Sequence, residues 1–222
     1  KAKIIAGTGT YSTSESIEIT KMADSLGVDG IMIVTPYYSK PSQHGILRHF
    51  EEISKITDLP IMAYNIPGRT STLIELETLQ TLVDDIGIHS IKDAVGDFEF
   101  SKKQLELLKD KADIYSGNDN QTYDFVINGG VGVVSVASHV VGDEISEMIS
   151  FAKDNDLEKA EEINMQLSNL FEAIFEEPSP GPIKKILSES WEEVGEPLLP
   201  ITSITPELAN KIRGFYKKIK EN

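Results

Sequence analysis

The chain has 222 residues, 40% of them hydrophobic and 26% charged, with no cysteine and a formal net charge of -15 at neutral pH. That charge repels nucleic acid and anionic membrane surfaces. The lack of cysteine excludes disulfides and thiolate metal sites, and no apolar run approaches the roughly 20 residues that cross a bilayer, nor does the N-terminus have a signal-peptide layout. A soluble, cytoplasmic protein of one large or two small domains is expected, in which any anionic ligand must meet a local basic residue.

In chain order, a short strand-like run alternates with an amphipathic helical segment, each pair about 25 to 30 residues long, the size of a βα unit. The first run, Lys3 to Ala6, ends in Gly7-Thr8-Gly9; Ser12 or Thr13 then caps a helix that Gly27 stops. Gly30 to Thr35 is continuously apolar, as in a strand buried on both faces of a parallel sheet, and it leads into the stiff aromatic loop Pro36-Tyr37-Tyr38-Ser39-Lys40-Pro41. Ser42 caps a helix, Ile61 to Asn65 is a strand, and Pro67-Gly68-Arg69-Thr70 is its exit loop. A helix over about Leu73 to Val83 leads to a strand within Ile88 to Asp97. Phe98 to Lys111 is helical, Ile114 to Ser116 is a strand ending in Gly117-Asn118-Asp119, and Gln121 to Ile127 is a short helix. Val131 to Ala137 is the last strand. Helices follow: Gly142 to Lys153, Leu157 to Phe175, Ile183 to Trp191 and Pro206 to Ile219. Six parallel βα repeats with a helical tail fit a barrel or an open doubly wound sheet, and periodicity does not separate them. The polar, aromatic and Gly/Pro residues gathered after strand ends favour a barrel, whose βα loops build its site.

Among these segments, Ile88 to Asp97 carries the chemistry. Alternation puts Ser90, Lys92 and Ala94 on one face. Most lysines near strand ends lead their charge out to solvent, but an amine held in an apolar strand titrates lower and attacks carbonyls to give a Schiff base. Arg69, beyond a Pro-Gly turn in so acidic a chain, reads equally as an idle surface charge or a carboxylate clamp. Tyr37 and Tyr38 point different ways, so at least one reaches solvent or a partner. Gly7-Thr8-Gly9 lacks the third glycine and the acidic residue of a dinucleotide loop. His44 and His49, five apart, do not share a helix face and read as surface histidines rather than zinc ligands.

The segments Ile5-Ala6-Gly7-Thr8-Gly9, Thr35-Pro36-Tyr37-Tyr38 with Lys40-Pro41, Tyr64-Asn65-Ile66-Pro67-Gly68-Arg69-Thr70, Ile91-Lys92-Asp93-Ala94 and Ser116-Gly117-Asn118-Asp119, in this order and spacing, resemble the dihydrodipicolinate synthase (4-hydroxy-tetrahydrodipicolinate synthase) family. The similarity runs essentially the whole length of the chain. It implies a (β/α)8 TIM barrel, of which strands three to eight are present over residues 1–155, and a C-terminal helical domain over 156–222. It further implies a lyase of lysine and diaminopimelate biosynthesis that condenses pyruvate with aspartate 4-semialdehyde, without cofactor or metal, as a homo-oligomer (dimer or tetramer). By the same resemblance Lys92 is the Schiff-base lysine and Tyr64 the tyrosine that moves protons around it. Tyr38 enters a neighbouring subunit's site, Arg69 holds the aldehyde's carboxylate, and Gly117 and Val134 line the pyruvate pocket.

The sequence also departs from the family. Family members carry two further N-terminal βα units and a Gly-Thr-Thr-Gly-Glu motif whose threonines hold the pyruvate carboxylate; no such motif occurs here. A fragment of a longer enzyme is expected in preference to a degenerate, catalytically dead barrel, because the matching catalytic positions are intact and the start at Lys1 is abrupt. The same lysine and tyrosine serve N-acetylneuraminate lyase and the sugar-acid aldolases, and Pro-Gly-Arg-Thr is what separates this chain from them. Tyr11 stands where regulated members have a lysine-binding asparagine, although Glu15 matches a second contact. Insensitivity to lysine is expected.

Overall fold

The computed structural model describes residues 2–221. Six strands, β1 (Ile5–Gly7), β2 (Gly30–Val34), β3 (Ile61–Asn65), β4 (Ser90–Asp93), β5 (Asp113–Ser116) and β6 (Gly132–Val133), form one parallel sheet in strictly sequential order. A doubly wound sheet reverses its strand order at a switch point. This sheet never reverses, so right-handed crossovers place the helices between β1 and β5 on the same side.

Those helices are α1 (Thr13–Ser25), α2 (Gln43–Ser54), α3 (Pro67–Thr70), α4 (Leu76–Asp84) and α5 (Phe98–Leu107). Local chemistry sets their ends. The Ser12 and Ser42 hydroxyls accept the backbone N–H groups of Glu15 and Gly45 and so cap α1 and α2, and Gly27, at φ 74°, takes the left-handed turn after α1. Alternate strand residues Ile31, Ile33, Ile61, Ala63, Ile91 and Ile114 are buried, as are Phe50, Leu79 and Leu82 of the helices, an apolar layer of the kind that parallel sheets require. The other strand face is half-buried at Met32, Val34, Tyr64 and Lys92. This unit comprises the chain up to Asn118 together with Asn128–Val133.

The second compact unit takes Asp119–Ile127 and the chain from Val134 onward. It contains α6 (Thr122–Ile127), α7 (Ser138–Lys153), α8 (Leu157–Ala173), α9 (Gly181–Ser190) and α10 (Pro206–Glu221). Val126, Met148, Ala152 and Ala160 form one of its buried clusters, with Tyr123 and Ile163 packed against it.

Several sequence expectations need correction. Pro67-Gly68-Arg69-Thr70 is not a loop but one helical turn, α3, with Pro67 at its first position, where a missing N–H is harmless. The following helix begins at Leu76 rather than Leu73, and α5 stops at Leu107 rather than Lys111. The last strand is only Gly132–Val133, because the N–H groups of Val136 and Ala137 go to the Asp119 carboxylate, each at 3.1 Å, instead of to a ladder. His49 is not a surface residue: it is 4% exposed, with Nδ1 2.9 Å from the Thr13 hydroxyl, and burial pushes its pKa down to about 4.

Candidate active site

A cavity of about 330 Å³ opens on the half-buried strand face, lined by Gly7, Gly9, Met32, Val34, Tyr37, Tyr64, Ile66, Arg69 and Thr70. Gly9 is a glycine because of a close approach: a Cβ there would lie 2.5 Å from the backbone nitrogen of Val34. The sequence motif Gly7-Thr8-Gly9 therefore serves strand packing and the cavity wall.

Parallel register sets Tyr64 directly beside Lys92. The Lys92 ammonium stands 4.1 Å from the centroid of the Tyr64 ring, a cation–π geometry that keeps amine and phenol within one small volume. Burial pushes the Tyr64 phenol above its usual pKa, while the charge of Arg69 pulls the other way. The phenol is therefore protonated at neutral pH, able to donate a proton and to receive one back. Both the N–H and the hydroxyl of Thr35 bond the Tyr64 carbonyl at 3.0 Å, fixing that strand end.

Gly117 closes over the lysine. A Cβ at this position would come within 3.1 Å of Lys92 Cε and 2.7 Å of Ala94 Cβ. On the opposite face of β4, the carboxylate of buried Asp93 accepts the Val95 N–H and the Ser101 hydroxyl, each at 2.8 Å, tying the strand end to α5; burial raises its pKa.

Of the residues singled out from sequence, Tyr64, Arg69, Lys92 and Gly117 fall in this neighbourhood. Tyr38 does not line the cavity: it is 92% exposed and its backbone is left-handed at φ 68°. Its neighbour Tyr37 does line it and meets Tyr11 edge to face at 5.8 Å. Val134 belongs to the second unit. Sequence reasoning passed over Thr35, Tyr37 and Thr70 as site residues; their place just after strands β2 and β3 was the available signal. A larger cavity of about 500 Å³ lies in the helical unit, but its cations face inward partners, Arg213 on Glu189 at 2.7 Å and Lys184 on the Val194 carbonyl at 3.0 Å.

Residues 1–219 match the sequence profile of the Dihydrodipicolinate synthetase family. The chain is 41% identical over 218 residues to 4-hydroxy-tetrahydrodipicolinate synthase of Desulforudis audaxviator, covering 98% of this chain and 74% of that protein. It is 46% identical over 220 residues to 4-hydroxy-tetrahydrodipicolinate synthase of Microcystis aeruginosa, covering 99% and 74%. Among solved structures, dihydrodipicolinate synthase from Acinetobacter baumannii complexed with pyruvate superposes with a TM-score of 0.95 at 34% identity, covering 99% of this chain and 76% of that one.

Proposed function

This chain belongs to the dihydrodipicolinate synthetase family, and from that premise we infer that it is a lyase of the class I aldolase type, condensing pyruvate with aspartate 4-semialdehyde in lysine and diaminopimelate biosynthesis. The observation that carries the reading is the Lys92 amine at 4.1 Å from the Tyr64 ring beside a cavity that Arg69 also lines. Lys92 Nζ adds to the keto carbon of pyruvate; Tyr64 delivers the proton that lets the carbinolamine oxygen leave as water. The resulting iminium gives a methyl proton to the Tyr64 phenolate and becomes an enamine, whose carbon attacks the aldehyde carbon as the aldehyde oxygen takes that proton from the phenol. Arg69 holds the carboxylate of that aldehyde by charge-assisted hydrogen bonds. Gly117 lines the pyruvate pocket, and Tyr38 completes the proton path in a neighbouring subunit of a dimer or tetramer, a role that accords with its exposure. In this reading the six strands are the third to eighth of a (β/α)8 barrel over residues 1–155, which their sequential parallel order supports, with 156–222 as the helical domain. A cytoplasmic setting accords with the small metabolic substrates.

Trapping tests the reading. Incubation with pyruvate followed by borohydride is expected to leave a reduced adduct on the peptide containing Lys92, and Lys92→Arg to leave none, since a guanidinium stays charged and is no nucleophile. An adduct on another lysine overturns the assignment. Arg69→Ala is expected to lower kcat/KM for the aldehyde by roughly ten- to a hundredfold, the loss of one charge-assisted hydrogen bond, while leaving formation of the pyruvate adduct intact.

A further inference from the structure

Two carboxamides close on one stretch of backbone at the far end of the segment that carries Arg69. Asn65, the last residue of β3, is fully buried; its Oδ1 accepts the Ile74 N–H and its Nδ2 donates to the Ile74 carbonyl, each at 3.0 Å. From α2, Gln43 donates through Nε2 to the Leu73 carbonyl at 2.8 Å and accepts the Glu75 N–H at 3.1 Å. Each of two successive peptide units thus gives one group to Asn65 and one to Gln43. A stretch outside any helix or strand is paired on both sides as a central strand would be.

What this clasp holds is otherwise weakly held. Between Asn65 and Ile74 runs α3, four residues long, with no side-chain cap and with Ser71 left-handed at φ 56°. One helical turn does not sustain itself in water. Besides the backbone bonds of the turn itself, its local support is the Thr70 hydroxyl, which bonds the Ile66 and Thr72 carbonyls at 3.1 and 3.0 Å. Arg69 itself is exposed, so its direction follows from where α3 is held. At the near end, the Ala94 N–H fixes the Asn65 carbonyl to β4 at 2.9 Å, and that ties the clasp to the strand bearing Lys92.

We propose that Asn65 and Gln43 are positioning residues for Arg69, holding its segment so that the guanidinium meets the carboxylate of the aldehyde substrate. The inference rests on the role given to Arg69 above. Displacing a binding group by about an ångström is enough to cost as much as a hundredfold in rate.

The test compares Asn65→Ala, Gln43→Met, Arg69→Ala and the Asn65→Ala/Arg69→Ala double variant by two readouts: the rate of borohydride-trapped pyruvate adduct, and kcat/KM for aspartate 4-semialdehyde. Asn65→Ala and Gln43→Met are each expected to lower the aldehyde value about tenfold with adduct formation unchanged. The Asn65→Ala effect is expected to shrink below about twofold once Arg69 is alanine, as for residues that act through one another. Gln43 is half-buried at a helix start, so Gln43→Met keeps the test decisive if Asn65→Ala fails to fold. Equal losses in both readouts, no loss in either, or additive effects in the double variant overturn the proposal. A selective loss in Arg69→Ala beside silent clasp variants sinks the clasp alone; a silent Arg69→Ala sinks the role of Arg69 and the clasp with it.

Discussion

At Gly117 the site is set by an absent side chain. A methyl group there would meet Ala94 Cβ at 2.7 Å and the Asp93 carbonyl at 3.0 Å, both of which move only with the backbone, as well as Lys92 Cε at 3.1 Å, so the end of β4 that carries the lysine must shift. Gly117→Ala is expected to lower kcat/KM by roughly ten- to a hundredfold through misplacement of the amine, with slowed pyruvate adduct formation as the direct readout and a far-ultraviolet spectrum unchanged. His49 makes the opposite kind of statement, about stability rather than rate. Its imidazole is neutral in the fold down to about pH 4, whereas an unfolded histidine takes a proton below about 6.5. Between those values the unfolded chain binds more protons, so stability is complete above pH 6.5 and is lost as pH falls towards 4, on the order of 3 kcal/mol in all. Urea titrations of the native protein and His49→Leu across pH 4 to 7 check this: the variant is expected to lose that slope, and parallel slopes refute the assignment. None of the charged residues near His49 in sequence disclosed its burial, because what buries it is α1, whose Thr13 lies 36 residues away.

Among the elements, those with a full turn of pattern and a cap were legible in the sequence. Ser12 and Ser42 announced α1 and α2, and the apolar runs of β2 to β5 announced the sheet. Elements whose partners are supplied from elsewhere in the chain were not. Pro67–Thr70 is too short to show periodicity, and Gln43's half of the clasp on Leu73 and Glu75 joins residues about 30 positions apart. The run Val131 to Ala137 looked like a long strand because an apolar run cannot say what its N–H groups will bond. The buried Asp119 carboxylate takes them, along with the Ser135 hydroxyl. Asp119→Ala would strand those donors, and a loss of about 2 to 4 kcal/mol is expected in urea denaturation; a loss below about 1 kcal/mol would mean that water replaces the carboxylate. For the candidate site, Lys92 stood out by type and position and Tyr64 through the family resemblance, while the side chains that hold the neighbouring loop did not, since a carboxamide in a strand or a helix looks alike whether or not it holds a loop.

On the scale of the molecule, β1 is one end of the sheet among the described residues, and Ile4 and Ile5 are more than half exposed there, as are Met22 and Leu26 at and just after α1. An apolar sheet end of this kind pairs with other chains, whereas the net charge of -15 opposes association at low salt. Sedimentation velocity on Lys1–Asn222 is expected to show self-association that grows with protein and salt concentration and that Ile4→Lys reduces; an unchanged profile in that variant places the contact elsewhere. The sequential strand order has a further consequence, in time rather than space. Every strand after the first is hydrogen-bonded to the one immediately before it in the chain. A polypeptide leaving the ribosome at about 5 to 20 residues per second would therefore offer each of β2 to β6 a finished template in the strand made just before it. Growth of the sheet can keep pace with translation, one βα unit every few seconds.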